Sequence, residues 1–160
     1  EVSLQRLSRI IHEALPSPTI VVFRLNGKFL FTSALKRLNK NEKGKIVIEE
    51  YHFSSWMDLD SLTVPQCLFL QAITYGKIPA LDYKQAYIHF HRQIYEESNA
   101  EIVSRIETSD FEVLKQKAEE QKALQQEIEK LTKLLNQKSV SLKEKMELAK
   151  QIEKLKKKSL

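Results

Sequence analysis

The sequence predicts an α+β fold: a three-stranded antiparallel meander packed with helices, followed by a C-terminal α-helical hairpin that forms a coiled-coil-like arm. Three observations predict it. Asn26-Gly27 separates two runs rich in β-branched and aromatic residues, the pattern of a β-hairpin. Tyr83, Tyr87, Phe90 and Ile94 then recur at helical spacing. Beyond Asp110, aliphatic residues repeat every seven positions among lysines and glutamates. The chain thus divides into an α+β domain over residues 1–108 and a helical arm over residues 109–160.

Val2 to Leu15 reads as a helix, with Ser3 as its cap and Leu4, Leu7, Ile11 and Leu15 on one face. Pro16 and Pro18 end it, because proline lacks the N–H donor and disfavours helical backbone in the residue before it. Thr19 to Leu25 forms the first strand and Lys28 to Leu38 the return strand, with Phe29 and Phe31 on one face. A polar loop, Asn39 to Gly44, leads into a third strand over Lys45 to Phe53. A lone hairpin is marginal, whereas three strands with a helix on one face can bury a core. After Trp56, Ser61 to Tyr75 is expected to be helical, with Pro65 in its first turn and Gly76 as its stop. Pro79 separates it from a helix over Asp82 to Glu97, whose aromatic stripe faces inward.

In the arm, Leu114, Gln121, Ile128 and Leu135 lie seven apart, with Leu124 and Leu131 between them. Ser139 to Ser141 interrupts the pattern, and Ser141 with Glu144 makes a capping-box pair that can start a new helix. Leu148, Ile152 and Leu155 form a second stripe, broadened by Leu142, Met146 and Ala149. Two helices folded back on each other are the preferred reading, the first roughly 25 residues and about 37 Å long. A single unbroken helix through Val140 is the competing picture. The candidate protein-interaction residues are Leu124, Ile128, Leu131, Leu135, Leu148, Ile152 and Leu155. Through them the arm would pack on itself, on a second copy in a homo-oligomer, or on a partner protein.

The 160 residues leave room for one domain and an appendage. The lone cysteine, Cys67, excludes an internal disulfide framework and every multi-cysteine metal pattern. No stretch approaches the ~20 apolar residues of a membrane span, and no signal-like N-terminus is visible. A cytoplasmic location without a membrane partner is expected. The chain begins at Glu1 rather than Met, so an upstream segment is expected too. Its net charge of +5 is segregated: residues 1–110 hold 13 Lys/Arg and 13 Asp/Glu, while residues 111–160 hold 13 Lys and 8 Glu. The surplus sits in residues 138–158.

Few residues carry chemistry on sequence grounds. His89 and His91, two apart on a helix, point about 200° from each other and cannot share one ion. Glu49 and Glu50 precede His52 on a strand, but the acid–spacer–lysine pattern of a metal-dependent nuclease is absent. Cys67 lies in an apolar run and reads as a core residue. With only Gly27, Gly44 and Gly76, no phosphate-binding loop can be built. Trp56, near Tyr51 and Phe53, reads more readily as core than as an exposed anchor. No catalytic residue, metal ligand, cofactor or small-molecule substrate is therefore expected. The basic helix offers a possible nucleic-acid contact through Lys143, Lys145, Lys150, Lys154, Lys156, Lys157 and Lys158. Against it, residues 106–160 contain no arginine, and no aromatic residue follows Phe111. Lysines that merely solvate the outer face of a hairpin are the plainer reading.

Several short runs resemble a known family. Pro18-Thr19-Ile20-Val21-Val22-Phe23, Ala34-Leu35-Lys36-Arg37-Leu38-Asn39, Glu50-Tyr51 and Ser55-Trp56 are similar to the uncharacterised bacterial family catalogued as domain of unknown function 4391. The helix Tyr87 to Ile94 and the tail residues Glu147-Leu148 and Gln151 to Leu155 are similar to it as well. The family has no established activity or catalytic residues to carry over. The resemblance implies a non-enzymatic accessory subunit beside DNA-processing enzymes, such as helicases and methyltransferases, in restriction-modification or phage-defence assemblies.

Overall fold

The computed structural model describes residues 2–42, 44–79, 82–136 and 142–158 of the chain. Its elements run α1 (Val2–Ala14), β1 (Ile20–Leu25), β2 (Lys28–Leu38), β3 (Ile46–Phe53), β4 (Met57–Asp58), α2 (Val64–Ala72), α3 (Tyr83–Ser98), α4 (Ala100–Val103), α5 (Phe111–Leu135) and α6 (Leu142–Lys158). The chain divides into two compact units, Glu1–Ala100 and Glu101–Leu160.

In the first unit β2 is the hub of the sheet. It pairs antiparallel with β1, with β3 and with the two-residue β4. At the β1–β2 turn Leu25 lies opposite Lys28, and Asn26 (φ 51°) and Gly27 (φ 79°) both adopt left-handed backbone. That conformation matches the twist of the flanking strands, and asparagine and glycine tolerate it best. Between Leu35 and Lys36 the β2–β3 register shifts.

Alternation along β2 sends neighbouring side chains to opposite faces, and both faces are covered. Thr32 meets α1, where the Ser8 hydroxyl donates to it over 3.3 Å. Ser33 meets α3 through His91, and Phe31 packs edge-on against Phe69 of α2 at 5.1 Å. The sheet is therefore sandwiched, with α1 on one side and α2 and α3 on the other. The sequence expectation of one covered face undercounted the layers. The apolar core lies on the α2–α3 side, where Met57, Phe69 and Ile94 cluster with Phe31, Leu62, Leu70 and Ile73.

Helix faces differ from those that leucine and aromatic spacing suggests. On α1, Ser8 and His12 are fully buried, while Leu7 of the expected stripe is 49% exposed, as is Leu15, just past the helix, at 43%. The sheet opposite presents the Thr32 hydroxyl and the Tyr51 ring, so a serine and a histidine find partners there. On α3, Tyr83 is 97% exposed; the buried face carries His91, Ile94 and Tyr95, with Tyr87 half-buried one turn earlier. Tyr83 opens the first turn of the helix, and the sheet-facing side is filled further along, where His91 joins Ile94 and Tyr95. α2 begins at Val64 rather than Ser61, because Thr63 is its cap and the Gln66 side chain accepts the Thr63 N–H at 3.0 Å.

Polar contacts fix α3 to the sheet. The Ala34 N–H donates to the Tyr87 hydroxyl (3.0 Å), which donates to the Ala34 carbonyl (2.8 Å). At the other end of α3, the buried Glu97 carboxylate accepts from the Ser55 N–H at 2.8 Å and from the Ser55 hydroxyl. Gln66 donates to that same hydroxyl oxygen at 2.8 Å, tying α2 into the clamp.

In the second unit, Asp110 caps α5, its carboxylate accepting the N–H groups of Glu112 (2.9 Å) and Val113 (3.2 Å). α5 spans 25 residues and α6 spans 17, and the two pack against each other. They are separate helices, with Asn136 closing the first. The expected break at Ser139–Ser141 and the capping role of Ser141 lie outside the described residues. No helix among the described residues is long and apolar enough to cross a membrane.

Candidate functional site

Two polar clusters penetrate the sandwich, one from each side. On the α3 side, Glu50 and His52 are two apart on β3 and so share a face. The inward face of α3 sets His91 against them. Glu50 Oε2 lies 3.3 Å from His91 Nε2 and 3.4 Å from His52 Nε2. The two imidazole centroids are 4.5 Å apart, and the Tyr95 ring closes the far side of His52 at 4.9 Å. His91 Nδ1 is 2.9 Å from the Ser33 hydroxyl, and Ser33 is paired with His52 across the β2–β3 ladder. His91 is wholly buried, whereas the side chains of Glu50 and His52 keep 29% and 19% of their surface. The cluster thus has a closed floor and an open edge. Its three donor atoms lie within 4.8 Å of one another, close enough to hold one metal ion.

Sequence reasoning set His89 and His91 aside as unable to share an ion, noted Glu49 and Glu50 before His52 without a site, and missed that His91 joins Glu50 and His52. His89 points elsewhere, with Nε2 2.9 Å from the Ala72 carbonyl of α2. Glu49 falls where the β2–β3 register shifts and pairs with Arg37 at 2.6 Å. His91 and Glu50 are 41 residues apart, so no local spacing joins them. One signal was present: a Glu-x-His on a strand, and a histidine four residues after an inward tyrosine on a helix.

On the α1 side, His12 sits between Thr32 Oγ1, 3.4 Å from its Nε2, and the Tyr51 ring, edge-on at 5.4 Å. Burial disfavours its cationic form, and the Lys36 ammonium adds repulsion, so its pKa drops to about 4. Lys36 donates to the Leu15 and Ser17 carbonyls, at 2.6 and 3.1 Å, and desolvation lowers its own pKa. These groups hold the α1 end against β2. Cys67 is half-buried on α2.

In the arm, the seven interaction candidates all sit on partly covered faces. Ile152 is buried, while Leu124, Ile128, Leu131, Leu135, Leu148 and Leu155 are half-buried. Leu134 is 36% and Met146 60% exposed. Of the lysine candidates, Lys143, Lys150, Lys154, Lys156 and Lys157 are exposed and Lys145 is half-buried. Lys157 pairs with Glu153 at 3.0 Å. The side chain of Lys158 lies outside the described residues.

Residues 1–158 match the family described as Domain of unknown function (DUF4391), and the chain belongs to it. No curated protein and no solved structure matches the chain.

Proposed function

We propose that this chain is a non-enzymatic accessory subunit that binds a partner protein through its helical arm. The observation that carries this reading is the incomplete cover of the arm's apolar stripe. α5 and α6 pack together, yet six of the seven stripe residues stay half-buried, and Met146 is 60% exposed. Two helices cannot enclose a seam that a third or fourth helix would close. α6 also carries seven lysines against three glutamates, so a second α6 would be repelled. A different protein with an acidic rim around an apolar groove suits it better, in keeping with a coiled-coil-like arm attached to a larger assembly such as a DNA-processing enzyme.

The test is co-purification of the tagged full chain from its own cells at low salt. A stoichiometric protein partner is expected, released as salt rises. The Leu134→Glu/Met146→Glu variant should lose it, because a carboxylate buried in such an interface costs about 2 kcal/mol or more of binding. Its far-UV circular dichroism should match the parent, since both residues are already exposed. Ile128→Glu/Leu131→Glu should instead lose arm helicity as well. Equal recovery of the partner by parent and variant, or a dimer of the chain alone in sedimentation, would sink the reading.

The exposed lysines of α6 favour a second reading, a sequence-blind nucleic-acid contact. On that reading, affinity for duplex DNA falls steeply with salt, with a log–log slope of about −0.9 per phosphate contacted. No duplex binding at low ionic strength disposes of it.

A further inference from the structure

We infer that Glu50, His52 and His91 form a binding site for one divalent transition-metal ion, with zinc the best match. Two imidazoles and one carboxylate are a donor set that zinc accepts when a fourth position is left to water. Both carboxylate–imidazole separations fit that ion, and all three donor atoms lie within 4.8 Å of one another. With bonds of about 2.05 Å, the edge of a tetrahedral coordination shell is about 3.3 Å. Glu50 Oε2 stands 3.3 Å from one histidine Nε2 and 3.4 Å from the other. Those separations are long for N–H···O hydrogen bonds, which centre near about 2.9–3.0 Å, and right for ligands arranged around a shared ion.

The surroundings are those of a prepared ligand set. His91 offers Nε2 to the cluster because its Nδ1 is engaged by the Ser33 hydroxyl at 2.9 Å. With a metal on Nε2, the Nδ1–H donates to Ser33 Oγ, the outer contact that fixes ring orientation in metal-binding histidines. Glu50 and His52 are held by β3, and Ser33 by its ladder pairing with His52. All three ligands therefore come from regular elements rather than loops. The Glu50 side chain, which keeps 29% of its surface, gives the ion a way in, whereas the His52 Nε2 atom is itself buried. The side chains of Glu49 and His89 take no part.

The full chain, dialysed against chelator, is titrated with Zn²⁺ by calorimetry and with Co²⁺ by visible absorption. One equivalent is expected to bind, with d–d bands of nitrogen- and oxygen-ligated cobalt and no thiolate charge-transfer band from Cys67. Glu50→Gln and His52→Asn, at the solvent edge, should each weaken binding at least about tenfold, and Ser33→Ala by about 10–100-fold, while His89→Asn leaves it unchanged. Circular dichroism confirms that each variant is folded, and Glu50→Gln, the ligand change nearest solvent, serves if another variant unfolds. A folded chain that shows no saturable one-to-one binding would overturn the assignment. So would undiminished binding by His52→Asn or by the double variant Glu50→Gln/His52→Asn.

Discussion

Lowering the pH from 6.5 to 4 is expected to remove about 3 kcal/mol of stability from the sandwich through His12 alone. The sign follows from where the proton goes. In the unfolded chain the imidazole is protonated below 6.5, but in the native state burial and Lys36 hold it neutral down to about 4. Between those values the unfolded state binds more protons, so stability rises with pH across the window and is fully present above it. Below about 4 both states are protonated and the contribution is gone. Carboxylates titrate in the same range, so the measurement is a difference. Urea unfolding of the parent and of His12→Leu is compared at both ends of the window. The parent should lose about 3 kcal/mol more than the variant on acidification. Parallel curves would mean that the buried imidazole titrates at its ordinary value.

Ile94→Ala should cost about 2–5 kcal/mol, the loss of a buried aliphatic group plus the cavity it leaves. Ile94 has no exposed surface and sits between Met57 of β4 and Phe69 of α2, so neither neighbour can fill the void without leaving the sheet or the helix. Against a typical stability of about 5–15 kcal/mol, that is a large fraction. The single tryptophan, Trp56, adjoins Met57 and provides the fluorescence probe. Leu68→Ala, on the same α2 but 60% exposed, should change stability by about 0.5 kcal/mol or less. Comparable losses from the two substitutions would place the core elsewhere.

These two residues also mark what the sequence made legible. The β1–β2 hairpin is written in two adjacent residues, Asn26 and Gly27, whose backbone preference acts locally. The start of α5 is likewise set by one carboxylate, Asp110, reaching N–H groups two and three residues on. Ile94 was found because its burial follows helical spacing. His12 and Ser8 were not, because nothing within α1 distinguishes a buried histidine from an exposed one. Only Thr32 and Tyr51, brought in by the sheet, give them a reason to face inward. The Glu50–His52–His91 cluster was hidden for the same reason: its members meet only after α3 has docked on β3. Apolar periodicity reports which face of a helix is greasy. It does not report which polar groups the opposite surface can satisfy.

Thr32 and Ser33 stand next to each other on β2 and serve opposite sides of the sheet, one near His12 and the other at His91. If β2 slid by one residue in one direction, Ala34 would arrive opposite His91; in the other, Phe31 would arrive opposite His12. Either slip strips one enclosed imidazole of its hydroxyl, at a cost of about 1–3 kcal/mol. The adjacent hydroxyls therefore work as an alignment key, which only one setting of the central strand can turn on both sides at once.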